Sequence, residues 1–157
     1  MLNEAKANRT EVALVLVDID HFKKVNDTHG HIAGDQILKV AAELLRSNIR
    51  QENPVYRLGG EEFLILMNHL SRDPNKKMDS SEFHVAIYQV MERIRKSFAT
   101  RELAAGTIQV PVTLSCGITF YAPTMNKSLD ELMTEADQAL YASKRNGRNL
   151  ISVWPYI

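Results

Sequence analysis

Residues 57–63 read Arg-Leu-Gly-Gly-Glu-Glu-Phe and lie between two short apolar runs, residues 54–56 and 63–67. Two adjacent glycines supply the positive φ angles that a two-residue β-hairpin needs, and they leave room for a ligand. The stretch therefore predicts a tight hairpin with Glu61 and Glu62 at its tip. Because two neighbouring carboxylates repel each other, a bound cation or a cationic partner explains them better than a purely structural role.

The composition of the 157-residue chain is that of one ordinary soluble globular domain. Its 19 basic residues balance 19 acidic ones, so binding of a polyanion needs a local cluster, and a nucleic-acid polymer is not predicted as a partner. No apolar run is long enough to span a bilayer, and no membrane contact by this domain is predicted. The single cysteine, Cys116, lies in an apolar run and is predicted to be a buried core residue. We expect a cytoplasmic location, either free or as part of a membrane-anchored protein.

Apolar runs predict the strands. Residues 12–17 are continuously apolar and partly β-branched, as in a strand buried on both faces, and the run ends at Asp18-Ile19-Asp20. Residues 110–121 predict another strand, paired with the short stretch before Pro111. Residues 150–154 predict a final edge strand.

Periodic apolar residues predict three helices, and the rest of the chain is read as turn or loop. Residues 22–31 are polar and turn-rich, and the first helix is predicted after Asp35. The second is expected to begin at Asp79 and the third at Ser128, each with a glutamate three residues later as in a capping box. Gly147 is predicted to end the third helix. Residues 68–81 are read as a surface loop.

The predicted order of elements is strand, helix, hairpin, helix, strand pair, helix and strand, in one domain over residues 1–157. This order predicts an α+β fold with a mostly antiparallel central sheet flanked by helices.

The acids at the end of the first strand and at the hairpin tip form the first candidate site. If that strand pairs beside the hairpin, Asp18 and Glu61 converge on one point. Magnesium is typically held by one or two carboxylates together with substrate phosphates. Two such ions about 4 Å apart would stabilise the attacking and leaving oxygens of a phosphoryl displacement. For Asp20, a solvated turn residue is an equally good interpretation.

Asn26 and Asp35 form the second candidate site. An Asn amide can donate to a ring carbonyl, while a carboxylate accepts from an amine and a ring N–H, which together match the Watson–Crick edge of guanine. The turn after the first strand can also present backbone N–H groups to phosphate oxygens. From spacing alone, the simpler interpretation is favoured, with Asn26 a turn residue and Asp35 a helix N-cap.

Lys144 and Arg148 flank the end of the third helix at a spacing that lets both reach one polyphosphate. Basic residues at a helix C-terminus also simply complement the helix dipole, and this interpretation suffices for Arg145.

Four ordered segments together resemble the GGDEF domain family of bacterial diguanylate cyclases. They are residues 18–27, residues 30–35, residues 57–63 and residues 139–149, and they extend over nearly the whole chain. The resemblance implies a palm-like α+β fold similar to nucleotidyl cyclases. It also implies a nucleotidyltransferase reaction in which two GTP molecules become cyclic di-GMP and two pyrophosphates, between two antiparallel copies of the domain. Two Mg²⁺ or Mn²⁺ ions per active site are implied as cofactors.

The resemblance also implies roles for individual residues. Asp18, the Ile19 carbonyl and Glu61 would hold the metals, Glu61 would help to deprotonate the attacking 3′-hydroxyl, and Glu62 would shape the metal site. The residues implied to hold GTP are Asn26 and Asp35 for guanine and, for the triphosphate, the backbone of His21, Phe22 and Lys23 with the side chains of Lys144 and Arg148.

The chain departs from the family pattern in two places. Nothing in residues 1–10 matches the Asp-x-Leu-Thr-Gly-Leu-x-Asn-Arg segment with which family members usually begin. We therefore expect a C-terminal fragment of a longer signalling protein whose sensory or dimerising region is missing, with weak activity in isolation. The product-inhibition motif Arg-x-x-Asp reads Arg50 to Asn53 here, and the loss of the carboxylate predicts weak feedback by the product.

Two other functions compete with the cyclase. A non-catalytic GTP-binding module, acting as a sensor or scaffold on the same fold, is disfavoured because Glu61 and Glu62 are both present. A cyclase that makes a monocyclic product is disfavoured by Asn26 and Asp35 together.

Overall fold

The computed structural model describes residues 2–68 and 78–155, except the side chain of Leu2. The predicted loop over residues 68–81 lies largely outside these ranges. The elements, in chain order, are α1 (Leu2–Asn8), β1 (Val12–Ile19), α2 (Phe22–His29), α3 (His31–Ser47), β2 (Val55–Gly59), β3 (Glu62–Asn68), α4 (Ser80–Ala99), β4 (Glu102–Ala105), β5 (Ile108–Pro111), β6 (Leu114–Tyr121), α5 (Leu129–Arg145) and β7 (Ile151–Val153).

Five strands form the central sheet in the order β2-β3-β1-β6-β7. Strand β1 is antiparallel to both β3 and β6, while the edge strand β7 runs parallel to β6. Every residue of β1 and β6 is buried, as expected for central strands covered on both faces. The predicted α+β fold with a mostly antiparallel sheet is confirmed.

Alternate residues of β1 divide the core into two layers. Val15, Val17 and Ile19 pack on the face that carries α3 and α4. Leu14 and Leu16 pack on the other face, against α5. The two faces follow from the two-residue period of a strand.

Helix α5 crosses β6 at Gly117 in very close contact. A Cβ atom at Gly117 would lie 2.2 Å from the carbonyl oxygen of Ala136 and 2.3 Å from the backbone nitrogen of Leu140. Glycine is required here because the helix backbone fills the space of a side chain. The contact holds α5 directly on the sheet.

The predicted helix boundaries of α4 and α5 are confirmed. The Asp79 side chain accepts a hydrogen bond from Glu82 N at 2.8 Å, and Ser128 Oγ accepts one from Glu131 N at 3.2 Å, each within a complete capping box. Helix α5 ends just before Gly147, whose φ is 119°.

Two predictions around α2 and α3 are wrong. The segment after Asp20 is the helix α2, whose buried Phe22 and Val25 lie three residues apart on one face. Helix α3 begins at His31 with Gly30 as its N-cap, so Asp35 lies inside the helix and is not its cap. The many polar residues of α2 hide a short amphipathic pattern of only two apolar positions.

The prediction of one strand over residues 110–121 is also wrong. Strand β5 ends at Pro111 and pairs with β4 in a separate two-stranded sheet, and β6 starts only at Leu114. Proline has no N–H to donate to a ladder, which places it at the end of an edge strand.

In the part of the chain that the structure describes, none of the helices combines the length and the apolar character needed to cross a membrane.

Candidate active site

The hairpin tip is a two-residue turn between β2 and β3. Gly60 has φ 51°, which a glycine adopts without strain, and Glu61 follows it. The Arg57 side chain donates to the Gly60 carbonyl through Nε at 3.0 Å and through Nη2 at 2.8 Å. Arg57, which the sequence marks only as part of a motif, therefore braces the turn that presents the acids.

The end of β1 lies directly beside the hairpin tip. Asp18 is opposite Glu62 in the antiparallel pairing of β1 with β3, and Ile19 N donates to the Glu61 carbonyl at 3.3 Å. The expected pairing of the first strand with the hairpin is thus present, and the three carboxylates are neighbours at one end of the sheet.

Asp18 is a desolvated carboxyl group that is only 6% exposed. Burial raises its pKa above the ordinary value, repulsion from Glu61 and Glu62 adds to the rise, and Lys144 opposes it. Lys144 Nζ donates to Asp18 Oδ2 at 2.8 Å. The last turn of α5 therefore delivers a cation to the acid at the end of β1.

The oxygen donors at this corner suit a divalent cation that also binds a substrate. Among residues 2–68 and 78–155, no three His, Cys, Asp or Glu side chains converge on a common point. A magnesium ion needs only one or two protein carboxylates when phosphates and water complete its octahedral shell. Asp18 and Glu61 match that requirement, with the Ile19 backbone beside them.

The first turn of α2 lies next to this corner and suits an anion. His21 has φ 56° and is the N-cap of α2, and its carbonyl accepts from Lys24 N at 2.9 Å. The first N–H groups of a helix, here those of Phe22 and Lys23, have no intrahelical acceptor and point at approaching anions. The local structure is a helix start and not the predicted turn, yet it provides the same kind of donors.

The Asn26 side chain lies against Gly34. A Cβ atom at Gly34 would be only 1.8 Å from Asn26 Oδ1, so the amide occupies the space of the missing side chain. Asp35 follows Gly34 on α3 and is exposed. The two residues predicted to read guanine therefore flank the start of α3.

A groove of about 850 Å³ runs between α3 and the hairpin. Its volume is in the range of small-molecule sites. The lining residues include Asp35, Leu38, Lys39, Ala42, Arg57 and Phe63.

Arg148 follows the glycine that ends α5. Its φ is 62°, its side chain is exposed, and its backbone N donates to the Ser143 carbonyl at 3.0 Å. Lys144 and Arg148 thus emerge on either side of the same helix end, as the sequence predicts, and Lys144 also contacts Asp18.

Asp20 is not a solvated turn residue. It is 4% exposed and accepts hydrogen bonds from Thr113 Oγ1 at 2.7 Å, Ser115 Oγ at 2.6 Å and Asn149 N at 3.0 Å. It therefore ties the β1–α2 turn to β6 and to the α5–β7 turn. The signal for this role is the pair of hydroxyl residues two positions apart in an otherwise apolar run.

Cys116 is fully buried in β6, and burial raises the pKa of its thiol. The prediction of a core residue is confirmed.

Residues 1–150 match the family model described as "Diguanylate cyclase, GGDEF domain". The chain belongs to the GGDEF domain family.

Relatives and solved structures agree with this assignment. Diguanylate cyclase A of Treponema denticola is 34% identical over 97% of the chain, and diguanylate cyclase DgcP of Pseudomonas aeruginosa is 36% identical over 91%. The chain spans 38% and 19% of the lengths of these two relatives.

Among solved structures, the GGDEF domain of DgcB from Caulobacter crescentus, in complex with c-di-GMP, is 32% identical with a TM-score of 0.80. That match covers 97% of this chain and 82% of the other. The active GGEEF domain of a diguanylate cyclase from Vibrio cholerae is 29% identical with a TM-score of 0.78, covering 98% of this chain and 88% of the other.

In this GGDEF domain, the position of the expected product-inhibition motif is built differently from a carboxylate site. Asn53 is buried, and its Oδ1 accepts from Asn68 N at 3.3 Å. Arg46 donates to the carbonyl oxygens of both Asn53 and Arg50, the latter at 3.0 Å. Asn53 therefore braces the α3–β2 connection from inside, and weak feedback by the product stays a prediction.

Proposed function

We propose that this GGDEF domain condenses two GTP molecules into cyclic di-GMP and two pyrophosphates, acting with a second antiparallel copy of itself. One observation carries the proposal. Asp18, the hairpin acids and Lys144 meet at one end of the sheet, so carboxylates for a metal and a cation for phosphate share one corner.

Asp18 and Glu61, with the Ile19 carbonyl, are the proposed holders of the divalent ions, Mg²⁺ or Mn²⁺ and two per site. When bound, such ions neutralise charge on the phosphates and stabilise the attacking and leaving oxygens. Glu62 lies across from Asp18 and adds negative charge to the corner. This negative charge attracts a metal cation and repels a triphosphate that carries no bound metal ion.

The remaining residues hold the nucleotide in place. The backbone N–H groups of His21, Phe22 and Lys23 at the start of α2 would donate to the triphosphate oxygens, and Lys144 with Arg148 would neutralise their charge. The guanine base would be read by Asn26 on α2 and Asp35 in the first turns of α3. Such positioning supplies most of the rate enhancement in phosphoryl transfer.

The chemistry requires a second copy of the domain. In each half-reaction, the 3′-hydroxyl of one GTP attacks the α-phosphorus of the other, the bond to the β-phosphate oxygen breaks and pyrophosphate leaves. Glu61, at the hairpin tip, would accept the hydroxyl proton. Since one domain binds one GTP, turnover depends on the effective concentration of the second domain.

The test uses a dimerised form of the chain, fused to a parallel leucine zipper and incubated with GTP and Mg²⁺. Chromatography is expected to show cyclic di-GMP and pyrophosphate in a 1:2 ratio. Glu61→Gln should abolish turnover while the thermal unfolding midpoint is kept, and Glu102→Gln, on an exposed position of β4, should leave turnover unchanged. A folded dimer that binds GTP and makes no cyclic di-GMP would refute the enzyme and favour a GTP-binding sensor.

A further inference from the structure

We propose that Asn149 is a positioning residue, which clamps the α5–β7 turn to the β1–α2 turn and so fixes the spacing of the triphosphate-binding groups. This inference deepens the proposed function and rests on the GTP binding that it assigns. Asn149 follows Arg148 directly, and the residue to which it is bound, Asp20, directly precedes His21.

The backbone of Asn149 makes the first half of the clamp. Its N–H donates to Asp20 Oδ2 at 3.0 Å, and Asp20 is itself held by Thr113 and Ser115 of the β6 side of the sheet. Asp20 N also donates to the Thr113 carbonyl at 2.9 Å. The carboxylate is buried, so this junction is shielded from water and holds its geometry.

The side chain of Asn149 makes the second half. Arg95 Nη1 of α4 donates to Asn149 Oδ1 at 2.7 Å and to the Asn149 carbonyl at 3.1 Å. The other nitrogens of the same guanidinium, Nε and Nη2, both bind the Glu92 carboxylate at 2.7 Å. Glu92 therefore holds Arg95 in place on α4, and the third nitrogen, Nη1, donates to Asn149.

The backbone conformation explains why the clamp matters. Arg148 and Asn149 have φ values of 62° and 49°, two consecutive left-handed residues that are not glycine. Such a conformation is uncommon and persists where the surroundings hold it in place. Asn and Asp tolerate it better than other residues, and Arg148 does not share that advantage. The grip on Asn149 from both sides therefore keeps the Arg148 side chain at a constant distance from the first turn of α2.

The clamp acts on phosphate binding and not on the base. The clamp joins Asp20, which precedes His21, to Asn149, which follows Arg148, whereas Asn26 lies further along α2 and Asp35 lies on α3. Loss of the clamp should thus weaken binding of the triphosphate and spare binding of guanosine. A general loss of folding would weaken both ligands by the same factor.

The experiment measures Kd values for a non-hydrolysable GTP analogue with Mg²⁺ and for guanosine by NMR titration of the full 157-residue chain. Asn149→Gly keeps the left-handed backbone, the N–H to Asp20 and the backbone carbonyl, but it removes Oδ1, the closer of the two acceptors for Arg95. This variant and Arg95→Gln should each raise the Kd of the GTP analogue about tenfold with no change for guanosine. Asn149→Asp should bind the GTP analogue with the wild-type Kd, because the new carboxylate still accepts a hydrogen bond from Arg95. Arg93→Gln is the matched control on α4, since the Arg93 guanidinium donates to the Asn48 carbonyl at the end of α3 and not to Asn149.

Equal weakening of both ligands, or unchanged affinity for the GTP analogue in Asn149→Gly, would overturn the clamp. Wild-type chain that binds no GTP analogue would overturn the clamp and the proposed function together. A dimerised chain that binds GTP without making cyclic di-GMP refutes only the enzyme, because the clamp is measured by binding to the single chain.

Discussion

Substitution of Gly34 by alanine should separate nucleotide binding from folding. The new Cβ atom would lie 1.8 Å from Asn26 Oδ1 and 3.2 Å from Phe22 Cζ. A carbon and an oxygen in contact are about 3.3 Å apart, so the Asn26 amide must move by roughly 1.5 Å. The phenyl ring needs to yield by only a few tenths of an ångström.

The two effects on free energy have opposite signs. Gly34 lies inside α3, where alanine is favoured over glycine by up to about 1 kcal/mol, so the variant should be at least as stable as the wild type. A hydrogen bond from Asn26 to guanine does not survive a displacement of about 1.5 Å, since good bonds fall within a few tenths of 2.9 Å. Loss of one such bond costs about 1.4 kcal/mol, which corresponds to roughly a tenfold higher Kd for GTP.

A double-mutant cycle tests the cause. Kd values for GTP are measured by calorimetry for the wild type, Gly34→Ala, Asn26→Ala and the double variant, with urea denaturation for stability. If Gly34→Ala acts only through Asn26, all three variants should bind about tenfold more weakly, because the amide can be lost only once. Ala86→Gly, a change of the same two residue types inside α4 and away from the groove beside α3, is the control for helix propensity.

A Kd for GTP that is about a hundredfold higher in the double variant would show that Gly34→Ala and Asn26→Ala act independently, which would refute this mechanism. It is equally refuted if Gly34→Ala binds GTP like the wild type, since the amide would then have no role in the affinity.

Three further predictions concern the core, the buried acid and the product. Gly117→Ala forces a Cβ atom against the backbone of Ala136 and should lower the free energy of unfolding by about 3 kcal/mol; a loss below about 1 kcal/mol by urea denaturation would contradict the close crossing. Burial raises the pKa of Asp18 in the folded state above 3.8, the ordinary value of an aspartate. The folded state therefore holds this proton to a higher pH than the unfolded state does. Without metal, the free energy of unfolding should fall as the pH rises from 3.8 through the raised pKa. With EDTA present to remove metal, the free energy of unfolding of Asp18→Asn should not show this fall. If the variant and the wild type had the same pH profile, another group would be its cause. Inhibition of the dimerised chain by cyclic di-GMP should be weak and should change less than about twofold in Arg50→Ala; saturable binding that disappears in this variant would show that Asn53 suffices for the site.

The sequence predicts those parts of the site that depend on local patterns. A buried strand that ends in Asp18, followed by a hairpin with acids at its tip, is visible in apolar runs and glycines, and the structure places the two side by side. The capping boxes of α4 and α5 are equally local, since each involves residues three positions apart.

Contacts between distant residues were beyond sequence reasoning. Lys144 and Asp18 are 126 positions apart, and Asn149 and Asp20 are 129 apart, so no spacing rule brings them together. They meet because α5 packs on β6 and β6 pairs with β1, which is a property of the whole fold. Helix α2 does not follow from the sequence for another reason, because eight residues with two buried positions give a weak periodic signal.

The ion pair between Lys144 and Asp18 turns the loading of the site into an exchange of one cation for another. The ammonium group lies 2.8 Å from the buried carboxylate, so a metal ion bound by Asp18, as we propose, would displace it. The displaced ammonium would then be available to the proposed triphosphate, and phosphate that holds it would leave the carboxylate open to the metal. Metal and nucleotide should therefore raise each other's affinity by the same factor, as linkage requires. At no stage of such a cycle does the desolvated acid at the end of β1 lack an opposite charge.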